Sequence, residues 1–417
     1  MTALFRKKND QDTLAAAPPR PTEQSEPVGP THPSGSSGPS GSSGPDDPAE
    51  EGAPAEPLAL HLNDHRDAPL LHLTPDLTMR QQDELAEMER ELGPGHEDAL
   101  RARNNYAMLL AAWSAAAPPG DTWMADRAIA LLEVNLGYQE ASLGPDHRST
   151  LTTCQSIGHA HLTAGRPTRA IPYLERALEG RERDAGRDDE DTLNAREKLS
   201  DACAAAGMTD RAIALLEETV AVSERLLPPG AEKVRNRKVK LFDAHREAGR
   251  RTEAIALCKE IIGDTERFYG PHHLDTYIWV DNLAHLHHDE EDLDAAIACY
   301  ERAIAGLEQI HGPDSEAISY RYHNLAIAHL EDGHPDRAVP YLEVALVACE
   351  HSLGADHGRT LDALVDLTNA LDRAGRIAEA AVTTNRLLTV LLRVGGPDHP
   401  RLPDVRAYLE RLNRSLG

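Results

Sequence analysis

Aromatic residues are scarce in this sequence of 417 residues: they make up 4% of it, with only three Phe and three Trp. A large β-rich core draws on aromatic and β-branched side chains, so this scarcity weighs against a mainly β fold. Basic residues are also outnumbered, 43 against 69 acidic ones, which gives a formal net charge of -26. Because duplex nucleic acid and anionic membranes attract basic faces, neither is expected as the main partner.

Cysteines and long apolar runs are also few. No two of the five cysteines form a CxxC pair; they are Cys154, Cys203, Cys258, Cys299 and Cys349. This pattern predicts reduced, mostly buried thiols rather than a disulfide framework or a zinc knuckle. No stretch approaches the ~18 uncharged apolar residues of a membrane span. The basic start Arg6-Lys7-Lys8 lacks the apolar run of a secretory signal. We therefore expect a soluble, cytoplasmic protein.

The first 57 residues differ in composition from the rest. They contain eleven prolines, six glycines and a Pro/Ser/Gly near-repeat over residues 33–45. Such a segment has too little apolar surface to offset the entropy cost of ordering, roughly 1–2 kcal/mol per residue. We predict a disordered tail over residues 1–57. Residues 58–91 form a lead-in segment, in which Met79, Leu85, Met88 and Leu92 predict a helix near 78–92.

The rest of the chain repeats itself every 42 residues. Leu143-Gly144-Pro145-Asp146-His147 recurs in degraded form, so repeats start near residues 92, 143, 185, 227, 269, 311 and 353, and a capping helix lies within 395–417. Two further positions recur with the same spacing, and the residues at equivalent positions of successive repeats are called a column. The glycine column is Gly165, Gly207, Gly249, Gly333 and Gly375, and the alanine column is Ala170, Ala212, Ala254, Ala296, Ala338 and Ala380.

These columns predict a helix, a tight turn and a second helix in each unit. Glycine stops the first helix and reaches positive φ at little cost, whereas Glu291 stands in the glycine column of one unit and should strain or loosen that turn. The alanine lets the two helices approach closely. One pair cannot bury its apolar face alone, so the pairs are expected to stack into an all-α superhelical solenoid.

The small-residue and glycine columns resemble the tetratricopeptide repeat. The 42-residue period and the Leu143–His147 linker resemble the variant found in kinesin light chains and many bacterial proteins, and Asn282-Leu283-Ala284 and Asn324-Leu325-Ala326 are similar to a signature of the first helix. The resemblance covers about residues 92–417. It implies a right-handed superhelix whose first helices line a concave groove that binds peptides or partner proteins and is not catalytic.

The resemblance also implies candidate groove residues. In the family, the Asn before Leu-Ala faces the groove, where an amide can pair with both N–H and C=O of an extended chain. The candidates here are Asn105, Lys198, Lys240, Asn282, His285, His323 and Asn324. A possible acidic-partner patch is predicted from the cation-rich fourth unit, at Arg235, Arg237, Lys238 and Lys240. The alternative is that these cations only offset neighbouring acids on solvated helix faces.

Histidines number 21, and His161, His245, His287 and His329 share one column. Zinc ligands must converge to within about 2.0–2.2 Å of one point, whereas these lie a full repeat apart, so packing is the favoured interpretation. We also find no phosphate loop, HExxH or GxSxG motif. The sequence predicts a non-enzymatic scaffold or adaptor with no cofactor and no metal. The alternatives are a peptide sensor that acts through the shape of the superhelix, and a metal-dependent hydrolase.

Overall fold

A computed structural model describes residues 75–116, 122–312 and 316–417, and all regular elements within these ranges are α-helices. After α1 (Pro75–Leu92), the first helices of the pairs are α2 (Glu97–Ala116), α4 (Arg148–Thr163), α6 (Glu190–Ala205), α8 (Glu232–Glu247), α10 (Leu274–Asp289), α12 (Glu316–Glu331) and α14 (Gly358–Arg373). The second helices are α3 (Trp123–Ser142), α5 (Pro167–Asp184), α7 (Thr209–Leu226), α9 (Arg251–Tyr269), α11 (Leu293–His311), α13 (Pro335–Leu353) and α15 (Ile377–Gly395), and α16 (Leu402–Leu416) ends the array.

The all-α solenoid predicted from the 42-residue period is confirmed. Each helix packs against the next one along the chain. The backbones of first helices also approach one another closely, α2 with α4, α4 with α6 and α12 with α14, whereas neighbouring second helices are joined by ion pairs of long side chains such as Glu140 and Arg176. The first helices therefore form the inner wall of the curved stack. The lead-in helix begins at Pro75, a few residues earlier than predicted, and the predicted disordered tail lies outside the described residues.

The alanine column is buried near the start of each second helix. All its described members are at most 1% exposed: Ala128, Ala170, Ala212, Ala254, Ala296, Ala338 and Ala380. A longer side chain there would overpack the pair by about 1–3 kcal/mol. One core cluster runs from Ala326 on α12 to Leu412 on α16, so neighbouring pairs share apolar contacts as the solenoid interpretation requires.

The turn inside each pair uses a positive φ. The column glycines Gly165, Gly207, Gly249, Gly333 and Gly375 have φ between 68° and 81°. Glu291 takes the same conformation at φ 59° and, among the described residues, is the one non-glycine with positive φ. Its amide bonds to the carbonyl of His288 at 2.9 Å, as Gly165 does to Leu162 at 2.9 Å. The turn therefore keeps its hydrogen bonds, and the strain lies in the backbone of Glu291.

We expect Glu291→Gly to raise the free energy of unfolding by about 1 kcal/mol, because the left-handed conformation costs an L-residue roughly that much. Urea unfolding of the variant and the wild type would measure it. Glu290→Gly, one residue earlier at a negative φ, is the matched control and should destabilise the chain. An unchanged or lower stability of Glu291→Gly would contradict the strain.

Histidines begin many of the first helices. The imidazole Nδ1 of the residue before the helix accepts a hydrogen bond from the backbone N–H two residues on, at 3.2 Å in His147, His273 and His357 and 3.3 Å in His96. At the start of α6 the carboxylate of Asp189 accepts the equivalent bond from the N–H of Asp191, at 2.9 Å. Each such bond satisfies one of the free N–H groups at a helix start. The linker histidines thus have a structural role as helix caps.

A glutamate in the last turn of α1 and of six second helices is a further column. Its members are Glu89, Glu140, Glu182, Glu224, Glu266, Glu308 and Glu350, and each is paired with a later helix. In three interfaces the partner is an arginine of the next second helix, namely Arg176, Arg302 or Arg386. In the other four a side chain of the intervening first helix supplies the partner: Arg103, Arg196, Lys238 or Tyr322.

The histidine column is packed inside the array. His161, His245 and His329 are 2–6% exposed, and the Nδ1 atom of each has no hydrogen-bond partner. Burial lowers the pKa of all three imidazoles. The folded chain therefore holds them neutral at pH values where the unfolded chain already protonates them.

The stability that these histidines contribute is fully present above the ordinary imidazole pKa of about 6.5 and is lost as the pH falls below it. We expect the melting temperature to fall between pH 7.5 and pH 5.5. Each buried histidine contributes at most about 1.4 kcal/mol per pH unit. His329→Leu introduces the residue that α14 carries at the equivalent position, Leu371, and should flatten this dependence. If the melting temperature of the variant depends on pH as that of the wild type does, the pH dependence does not come from the buried His329.

Candidate functional site

The predicted groove residues all lie on first helices and are partly exposed. Asn105 lies on α2, Lys198 on α6, Lys240 on α8, Asn282 and His285 on α10, and His323 and Asn324 on α12. Asn105, Lys198, Lys240, Asn282 and Asn324 occupy equivalent positions of their helices. His285 on α10 and Asn324 on α12 are in direct contact, so the site is described from there.

His285 and Asn324 join α10 to α12. The Nδ1–H of His285 donates to the backbone carbonyl of Asp281 at 2.8 Å, which leaves Nε2 as an acceptor. The amide nitrogen of Asn324 lies 3.0 Å from that Nε2 and donates to it. One N–H and the carbonyl oxygen of the Asn324 amide are not used in this bond. An amide on the inner wall is thus held in a fixed orientation.

Two further side-chain contacts extend this connection on both sides. Arg321 on α12 lies 3.1 Å from the carboxylate of Asp281 on α10, and the imidazole of His323 lies 2.7 Å from Asp366 on α14. Burial raises the pKa of Asp281, and the charge of Arg321 opposes that shift. Both pairs hold neighbouring first helices in register. His323 therefore lies on a first helix and is also bonded to Asp366 on the next one.

Tyr320 was missed by the sequence reasoning. It lies on α12, one turn before Asn324, and its side chain is 53% exposed. Its ring stacks on His285, with ring centroids 6.0 Å apart and planes at 14°. The spacing of four residues from Asn324 was the available signal, because residues i and i+4 share a helix face. The wall here combines an exposed aromatic ring with an oriented amide.

The predicted cationic patch is not a solvent-facing surface. Arg235, Arg237 and Lys238 are only 4–7% exposed. Arg235 donates to the carbonyl of Gly230 and lies over the ring of Tyr269. The prediction of an open patch at these three residues is wrong, because each is used to hold neighbouring helices together.

Carboxylates neutralise the cations of this region. Arg237 donates to Glu197 and Glu190 at 2.8 and 2.9 Å. Lys238 lies 2.7, 3.2 and 2.9 Å from Glu224, Glu260 and Asp264. Burial opposes the charge of Lys238, but these hydrogen bonds outweigh it and raise its pKa.

Lys240 is the one member of the predicted patch that is partly exposed, and it too is paired. Its amine lies 2.5 Å from Glu197. Burial favours the neutral form of Glu197, but Lys240 and Arg237 outweigh it and lower the pKa of that carboxyl. Lys198 lies on the preceding first helix at the equivalent position. The charge of Lys240 is therefore balanced within the fold by Glu197.

Metal and membrane sites were also sought in the described ranges. There, no three or more His, Cys, Asp or Glu side chains are grouped so that they could hold a metal ion. None of the helices described has the length and apolarity needed to span a membrane. The five cysteines are free thiols: Cys154, Cys203 and Cys258 are buried, and Cys299 and Cys349 are partly exposed.

Comparisons with known proteins agree with this architecture. Residues 154–225 and 276–350 match the family model of the tetratricopeptide repeat. No curated protein matches the chain.

Solved structures give a similar result. BtubC from P. vanneervenii is 17% identical, with 55% of this chain and 92% of that one covered and a TM-score of 0.42. Repeats of a putative kinesin light chain from Podosopora anserina are 17% identical, with 60% and 98% covered and a TM-score of 0.28. The C-terminal part of a TPR repeat-containing protein from Cytophaga hutchinsonii is 12% identical, with 72% and 98% covered and a TM-score of 0.50.

The likeness to the Cytophaga hutchinsonii structure supports the fold, and the two matched stretches contain the groove candidates Lys198, Asn282, His285, His323 and Asn324. The repeat columns, the helix pairs and the family match coincide over these stretches. Residues 154–225 and 276–350 are therefore tetratricopeptide repeats.

Proposed function

We propose that this protein is a non-enzymatic cytoplasmic adaptor that binds an extended segment of a partner protein along its inner wall. The main support is the pair Asn282 and Asn324, which occupy equivalent positions on the adjacent first helices α10 and α12 and are partly exposed. Amides 42 residues apart can donate to C=O and accept from N–H along an extended chain, whatever its side chains. Tetratricopeptide repeats generally mediate protein–protein interaction, which agrees with this proposal.

The groove between α10 and α14 is the strongest part of the proposed binding surface. There the wall polar groups are oriented by the His285–Asn324 and His323–Asp366 contacts. Pre-oriented donors and acceptors lose less entropy on binding than free side chains do. Asn105 lies on α2, several pairs away, and would contribute only to a long partner segment.

Affinity capture from the native cell extract tests the proposal, with the full chain as bait. Asn282→Ala/Asn324→Ala should recover markedly less partner than the wild type, with a melting temperature close to that of the wild type. Val347→Ser/Val382→Ser is the matched control, because these side chains are 65% and 72% exposed on second helices. Equal recovery of the same partners by wild type and the Asn variant would refute binding at the inner wall.

A further inference from the structure

Tyr320 is an unusual residue on the inner wall. Large apolar side chains with high exposure occur on second helices, turns and linkers of the described chain, and Tyr320 is the single case on a first helix of a pair. Its ring is 53% exposed and lies parallel to the ring of His285. Burying such a ring against a partner would gain both apolar area and ring-face contacts. Among the described first helices of the pairs, Tyr320 is therefore the one highly exposed aromatic side chain, and it stacks on His285, which contacts Asn324.

The charge around this ring is negative. Residues 269–352, which form the two helix pairs that carry Asn282 and Tyr320, contain sixteen acidic and only three basic residues. Of the three, Arg302 pairs with Glu266 and Arg321 with Asp281. The cations of the preceding unit are neutralised within the fold by Glu197, Asp264 and their neighbours. A positively charged segment therefore complements this part of the wall better than an acidic one.

A carboxylate stands at the position equivalent to Tyr320 on the next first helix. Asp362 on α14 is 42 residues further on, its side chain is 45% exposed, and its contact to Arg401 is a long one of 3.5 Å. Packed helices lie about 8–10 Å apart. One long side chain entering between α12 and α14 can therefore reach both the ring face and the carboxylate.

We propose that the segment bound at α10–α14 is basic, with an arginine whose guanidinium stacks on Tyr320 and pairs with Asp362. This inference rests on the proposed function and specifies the chemistry of the partner. A guanidinium is planar, stacks on aromatic faces and keeps its donors free at the edge for a carboxylate, which a lysine ammonium does less well. The amides of Asn282 and of Asn324, the latter oriented by His285, hold the backbone of the same segment.

The probe for this proposal is a phage library of random 12-residue peptides, selected on the immobilised full chain. We expect the enriched peptides to carry arginine and to be depleted in Asp and Glu. Their affinity, measured by fluorescence anisotropy with a synthetic copy, should fall about tenfold in Tyr320→Ala. It should fall less in Tyr320→Phe, which keeps the ring. Asp362→Asn should weaken binding and reduce its dependence on salt.

The control variant is Glu343→Gln, an exposed carboxylate on the second helix α13, which should leave the affinity unchanged. Enriched peptides that are acidic and depend on Lys198 or Lys240 would overturn the basic-partner inference and leave the adaptor proposal standing. The same holds for arginine peptides that bind Tyr320→Ala as well as the wild type. A library that yields no peptide sensitive to Asn282→Ala/Asn324→Ala would count against both proposals.

Discussion

Arg196→Leu should lower the free energy of unfolding by about 3 kcal/mol, because it removes one partner of a buried charge pair and leaves the other. Arg196 is fully buried on α6, and its guanidinium lies 2.8 Å from Glu182 and 3.5 Å from Glu218. Without it, these two carboxylates of neighbouring second helices keep only their longer contacts to the exposed Arg187, at 3.6 and 3.7 Å. Chemical denaturation followed by circular dichroism would measure the loss.

The chain itself contains the compensated form of this interface. At the equivalent positions 168 residues later, Glu350 pairs with Arg386 and the buried residue is Leu364. Arg196→Leu/Glu218→Arg reproduces that arrangement and should recover most of the lost stability. Arg183→Leu is the control, because its pair with Asp146 is more than half exposed, and it should cost less than about 1 kcal/mol. If the double variant is no more stable than Arg196→Leu alone, the idea that the two interfaces are interchangeable is contradicted.

Gly306→Val should also destabilise the chain by about 3 kcal/mol, through overpacking rather than charge. A Cβ atom at Gly306 on α11 would lie only 2.0–2.3 Å from atoms of the Tyr277 ring on α10. That ring is 6% exposed and its hydroxyl bonds to His272 at 2.9 Å, so it has little room to move. The melting temperature of the variant would measure the loss.

A second substitution should reverse this effect. The equivalent pair two repeats earlier is Leu193 with Val222, both buried. Gly306→Val/Tyr277→Leu copies that pair and should be clearly more stable than Gly306→Val alone. Additive losses from the two substitutions would show that the two side chains do not share one space, contrary to the structure.

The fold was predictable because every repeat restates the same pattern. The glycine column predicted the turn inside each helix pair, and the alanine column predicted a buried position near the start of the second helix. The 42-residue period predicted that each helix pair packs against the next one. Glu291 was the one break in the glycine column, and the structure shows that it adopts the glycine conformation. The predictions for residues 1–57 and the first half of the lead-in segment fall outside the described residues.

The candidate site was less predictable, because charge alone does not say which way a side chain points. Arg235, Arg237 and Lys238 were interpreted as an open patch, yet all three are buried: Arg237 and Lys238 pair with carboxylates 14 to 47 residues away in the sequence, and Arg235 bonds to Gly230 and Tyr269. One of the acid partners, Glu224, was visible in the sequence as a member of the glutamate column. Comparing columns of opposite charge one repeat apart would have revealed that these cations are compensated inside the array.

Hydrogen exchange on the full chain, with and without a bound partner peptide, is the most direct measurement of the central claim that the inner wall binds an extended segment. The account predicts slower exchange on binding in α10, α12 and α14, with little change in the second helices α11, α13 and α15. Protection confined to second helices, or to the linkers between pairs, would contradict it.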